Sequence, residues 1–306
     1  MSTAADLLAQ ANACHDDDVP RGAELLRRID PAELPPTETP TYAFLLNHVL
    51  GEKLGAWPEA LQLHQRLLAL PSPAAVLWRQ AGAAAVVAGD HAAVQQAAAA
   101  YATANTADPA RALEVLQLGA AMFRISGSDA ARAARLTEDA IAPLAAADWD
   151  AAGPIDSAVA ACLNNIASHL QDRPLPDLRE PALRDALQHS AGLAHRFWLR
   201  AGSWVNTERA LYLLAMVGNA LGDPQAARGH ALDALVLLNR HDTEHAEDVD
   251  RAFVELEHAH ACNALFLHDE AAAASNAALA LAAAFNDDGL TRWFESRRTR
   301  LALLPA

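Results

Sequence analysis

Two glycines 34 positions apart, Gly55 and Gly89, restrict the possible folds of this sequence more than any other feature. Each interrupts a helical apolar pattern, the first between 41–54 and 58–70, the second between 74–88 and 91–105. Phe44 and Trp78 keep the same offset and head the two leading segments. A fixed offset of this length marks a supersecondary unit that cannot bury its apolar face alone and must stack on its neighbours. The stretch 41–108 therefore reads as two helix–turn–helix units side by side.

The rest of the chain extends the pattern. Segments 4–14 and 20–29 form a first pair, followed by a stiff linker in which Pro31, Pro35, Pro36 and Pro40 interrupt any helix. Asp16, Asp17 and Asp18 precede Pro20 and suit a helix N-terminus, where the helix dipole favours negative charge. Further pairs are expected at 109–126 with 129–145, 155–171 with 182–200, 205–221 with 224–239, and 243–267 with 270–284. A terminal helix over 289–304 carries a charged face, as the exposed end of a stack requires.

Composition fits helices alone. Apolar residues make up 52% of the 306 positions but aromatics only 5%, so Ala and Leu supply most of the core. Lys53 is the sole lysine, which suits a GC-rich genome. The net charge of −15 repels phosphate backbones and argues against a nucleic-acid partner. No apolar run reaches the ~20 residues of a membrane span, and residues 1–8 lack the look of a signal peptide, so no membrane partner and a cytoplasmic location are expected. Cys14, Cys162 and Cys262 are odd in number and lie in helical patterns, where they read as small buried residues.

In the second copy Trp78, Gly82 and Gly89 fall where the pattern W-x2-L-G-x2-Y places its aromatic, its close-packing glycine and its turn. On these residues the chain resembles the tetratricopeptide-repeat (TPR) family. The match is closest over 41–108 and 205–239; His48 replaces a small residue, Ala85 and Gly218 replace the tyrosine, and later turns are spaced 38 and 46 apart. The resemblance implies an all-α, right-handed superhelical solenoid of about seven antiparallel helix pairs. It would span 1–306 as one domain, with an N-terminal pair and linker (1–40), repeats (41–146), an irregular pair (147–202), and repeats with a capping helix (203–306).

In TPR-like folds the first helix of each pair lines the concave face, and residues four apart on it point the same way. That offset selects Arg79, Gln117, Asn164, Ser168, Tyr212, Met216 and His258 as groove residues, with Arg124 and Asn219 further along the same helices. The run Leu163-Asn164-Asn165-Ile166-Ala167 is similar to the L-N-N-L-A run of TPR subfamilies that hold extended peptides. There an asparagine amide donates to and accepts from the ligand backbone at once. Arg79 and Arg124 could add charge-assisted contacts to a carboxylate.

Signatures of chemistry are absent. The sequence has no G-x-G-x-x-G after a strand, no Walker loop and no G-x-S-x-G elbow, and no pair of carboxylates is singled out by an apolar setting that would suit acid–base work. His258 with Cys262, and His241 with His245, supply only two corners of a metal site each, so neither metal nor cofactor is expected. The expectation is a non-enzymatic adaptor or regulatory protein that binds another protein or peptide. A sensor of a small peptide or metabolite and an α/α-toroid enzyme are the alternatives. Oligomeric state is not legible.

Overall fold

A computed structural model describes residues 3–145 and 149–304. Among these the regular structure is helical and no strand occurs. The helices are α1 (Ala4–Cys14), α2 (Val19–Arg28), α3 (Thr39–Leu45), α4 (Trp57–Leu68), α5 (Ala75–Ala88), α6 (His91–Asn105), α7 (Pro109–Ile125) and α8 (Ala130–Ile141). They continue with α9 (Asp156–Gln171), α10 (Pro181–Ala201), α11 (Trp204–Leu221), α12 (Pro224–His241), α13 (Asp248–Ala264), α14 (His268–Ala282) and α15 (Asp288–Ala302). No described helix is long and apolar enough to cross a membrane.

Much of the acidic charge has local work. Asp18, Asp90, Asp108, Asp223 and Asp287 each accept a hydrogen bond from a backbone N–H in the first turn of the following helix. An anionic cap there satisfies a donor that the helix leaves open and meets the positive end of its dipole. The aspartates at 16–18 thus do begin a helix, but Asp18 alone is the cap.

The chain divides into two compact units, 1–127 with 140–155 and 128–139 with 156–306. The expected boundary at 146/147 lies outside the described residues. In the first unit α5 packs against α4, α6 and α7, and α3 packs against α5. In the second, α9 packs against α10 and α11, α11 against α12 and α13, and α13 against α14 and α15. Helices α5, α9 and α11 therefore each touch both their own trailing helix and the next leading one within their unit. Residues 128–139 belong with the second unit, where Glu138 Oε1 lies 3.0 Å from His189 Nδ1 and Arg173 Nη2 donates to the Ser128 carbonyl at 2.7 Å.

One helix departs from expectation. After Leu45, α3 continues as a π-helix over Leu46–Lys53. Its buried Asn47 donates to the Gln80 carbonyl at 3.0 Å and to Gln80 Oε1 at 2.8 Å, and accepts from His64 Nε2 at 2.8 Å. A wide helical turn is rare and needs such outside support. Complete burial pushes the His64 imidazole down to about 3, so it is neutral in the fold.

Turns follow glycine chemistry at Gly55, Gly89, Gly127 and Gly222, whereas Ser72, Thr106, His245 and Phe266 take positive φ without being glycine. Gly222 (φ 73°) ends α11 in the left-handed conformation, which costs a residue without Cβ little. Between α13 and α14 the same φ sign falls on Phe266 (φ 60°), whose ring is 80% exposed. Four residues before the α11 turn, Gly218 faces α12 so closely that a Cβ would lie 2.9 Å from Ala227 N and 3.0 Å from its Cα. Because the obstruction is backbone, Gly218→Ala must push α12 away. We expect it to cost about 1–3 kcal/mol, read as a lower urea midpoint at unchanged slope; a midpoint equal to wild type would show that the contact is loose.

Candidate functional site

In the second unit the leading helices α9, α11 and α13 lie side by side, and α15 lies on them. Helix α15 buries Phe294, Arg297 and Leu301, which are spaced as one helical stripe. Phe294 meets Phe253 of α13 edge-on at 5.3 Å between ring centres, and Phe253 in turn meets Tyr212 of α11 at 6.2 Å. The terminal helix is thus more than an exposed end: it packs on α13 and against Tyr212 of α11, one of the residues the sequence assigns to a partner.

Polar contacts hold it there. The carboxylate of Glu257, fully buried on α13, receives both arms of Arg297, with Nη2 to Oε2 at 2.8 Å. Asn219 of α11 donates to the same Oε2 at 2.8 Å and to the Glu257 carbonyl at 3.0 Å. Arg300 Nη2 donates to the carbonyls of Gln171, at the end of α9, and Arg173. Bidentate pairing plus an amide donor compensates the cost of burying two charges. Arginine and asparagine on this face therefore serve the fold.

A second buried carboxylate stands in contrast. Glu208, in the first turns of α11, has no solvent-exposed surface, and neither of its oxygens receives a hydrogen bond. Burial raises its carboxyl to about 8, and the nearby negative charge of Asp250 adds to the rise. Arg209 pulls the other way but is engaged with Asp250, Nε to Oδ2 at 2.6 Å, and with Glu247, Nη2 to Oε2 at 3.1 Å. One turn on, the Tyr212 hydroxyl is buried without a partner, and burial drives its titration well above the ordinary phenol value. The sequence singles out no carboxylate pair, yet the fold sets the buried Glu208 close enough to Asp250 for its charge to add to the rise.

The sequence-selected residues divide accordingly. Asn219 is 2% exposed and bound to Glu257, and His258 is 5% exposed with Nε2 2.9 Å from Glu270 Oε1. Tyr212 and Met216 are half-buried on α11. In the first unit Arg79 is half-buried and Gln117 exposed, while Arg124 donates to the Val86 carbonyl at 2.7 Å. Asn164, Asn165 and Ser168 differ. They lie on the part-exposed side of α9, Asn165 exposed, and among the described residues no hydrogen bond engages their side chains.

A cleft of about 460 Å³ opens between α10, α11 and the start of α12, with Arg184, Gln188, Val217 and His230 in its lining. Its cation is occupied, since Arg184 Nη2 donates to the Leu221 carbonyl at 2.6 Å. Sequence reasoning missed Glu208, Glu257 and Arg297. The available signal was a charged residue inside an apolar helical stripe, as Glu257 is among Phe253, Leu256 and Ala261.

No protein-family model matches the chain, and no curated protein matches it in sequence.

Glu208 sets a pH dependence. Its carboxyl is near 4.5 when unfolded and about 8 when folded, so the folded state holds the extra proton between these values. Its contribution to stability is full below about 4.5 and is lost as the pH rises through about 8. Glu208→Gln stays neutral throughout. We expect its melting temperature to exceed that of wild type above pH 7.5 and to converge with it toward pH 5; parallel curves would mean that Glu208 does not titrate in this window.

Proposed function

We propose that this chain is a non-enzymatic binding protein, an adaptor or regulatory factor, whose leading helices hold an extended peptide segment of another protein. The observation that carries this reading is the contrast on α9. Asn164, Asn165 and Ser168 keep their hydrogen-bonding groups open to water, whereas Asn219, His258 and Arg124 spend theirs within the fold. An amide with a free donor and a free acceptor can pair with both polar groups of one peptide unit in a partner. The seating of α15 supports the same reading, because a helix face that takes one segment through arginine and aromatic contacts is built to accept chain. A TPR-like, right-handed arrangement of about seven pairs and a cytoplasmic location belong to this proposal.

The cleft near Arg184 favours a second reading, a sensor of a small polar molecule, since its 460 Å³ lies in the range of small-ligand sites.

The test is recovery of bound protein by the wild-type chain and by Asn164→Ala/Asn165→Ala from the same cell extract. Both positions reach solvent, so the double variant is expected to fold and to lose about tenfold or more of its specific partner, as two hydrogen bonds of about 1 kcal/mol or more each would require. Equal recovery removes α9 as the binding surface. Binding that survives there but falls in Gln188→Leu would favour the cleft.

A further inference from the structure

We propose that His15, Asp16 and His48 form a site for a divalent transition-metal ion of the zinc class. His15 caps α1, Asp16 follows it in the turn toward α2, and His48 projects from the π-helix, so the three come together only through the fold of the first unit. His15 Nε2 lies 3.2 Å from Asp16 Oδ2, and His48 Nε2 lies 3.3 Å from Asp16 Oδ1. One ligand atom from each residue lies within 4.8 Å of the others. Bonds of about 2.0–2.1 Å directed to the corners of a tetrahedron place neighbouring ligand atoms roughly 3.3 Å apart. The two nitrogen–oxygen contacts have that length but end on different oxygens of the Asp16 carboxylate, so one oxygen as ligand closes one edge and the other adjusts within the 4.8 Å spread of the set.

The far sides of both rings are equally specific. His48 Nδ1 meets Glu52 Oε2 at 2.8 Å, and the Glu52 side chain is only 7% exposed. His15 Nδ1 meets the Asn12 carbonyl. Both acceptors require the ring proton on Nδ1, which in a neutral imidazole leaves a lone pair on Nε2. With both rings neutral, two lone pairs confront an anionic carboxylate, an arrangement that a cation between them makes favourable. A carboxylate or carbonyl behind the ring is the support that metal-binding histidines use to fix tautomer and orientation. Phe44, stacked on His48 at 5.5 Å between ring centres and 8° between planes, holds that ring further.

A competitor is present. Lys53 Nζ lies 3.1 Å from Asp16 Oδ1 and partly fills the role of the cation. Its side chain is 37% exposed and can withdraw into water. Three protein ligands and a fourth corner open to water or to a partner's side chain complete the coordination.

The experiment uses the full chain, freed of metal with a chelator, titrated with Zn²⁺ by calorimetry and with Co²⁺ by visible absorption. Wild type is expected to take up one equivalent with the spectrum of tetrahedral cobalt. Asp16→Asn and His15→Gln change exposed or half-exposed side chains and should fold; each is expected to weaken binding at least tenfold, and Glu52→Gln about tenfold. Lys53→Met should bind more tightly than wild type, whereas His245→Gln, at an exposed histidine elsewhere, should leave binding unchanged. If Asp16→Asn and His15→Gln bind as wild type does, or Lys53→Met binds no more tightly, the assignment is overturned.

Discussion

Close approach between helices through alanine and glycine is the constraint on which the rest depends. Ala81, Ala84 and Ala85 of α5, Ala97 and Ala98 of α6, and Ala227, Ala231 and Ala234 of α12 are all buried. Small side chains bring helix axes near and bury much backbone, but each contributes little apolar area, at about 25 cal/mol per Å². They also present a smooth surface, on which one register packs nearly as well as another. Something else must fix the register.

Two asparagines do so, in corresponding ways. Asn47 joins its leading helix to the next by donating to the carbonyl and the side-chain oxygen of Gln80, and Asn219 does the same toward Glu257. A slip of one residue would leave each amide facing hydrocarbon, and in the second unit would strand the Glu257 charge as well. The cost of a wrong register is thereby far larger than the gain from any alternative contact among alanines. Arg297 joins α15 to the same carboxylate, so the polar contact that aligns two leading helices also anchors the helix lying across them.

Local features of this arrangement were legible in the sequence. The helical segments, the turn glycines Gly55 and Gly89, and the close-packing role of Gly82, where a Cβ would meet Leu116, depend on neighbours within a few residues or on a repeat offset. His258 satisfied the same offset rule as Asn164, and Asn219 was selected further along its helix, yet their side chains are taken by Glu270 and Glu257. The offset states which way a residue points on its own helix. It cannot state whether another helix supplies a partner, and the inward-facing Arg297 of α15 was hidden for that reason. The π-helix escaped notice as well, because its support comes from His64 and Gln80 on other helices.

The turn between α13 and α14 shows where this protein has not been shaped for greatest stability. Phe266 holds a backbone conformation that costs an L-residue with a side chain about 1–2 kcal/mol, and its ring gains nothing in return from burial. Glycine at that corner would relieve the local strain and remove an oily group from water. With phenylalanine there, this corner lies below its energetic optimum, as natural chains often do where folding alone does not decide a residue.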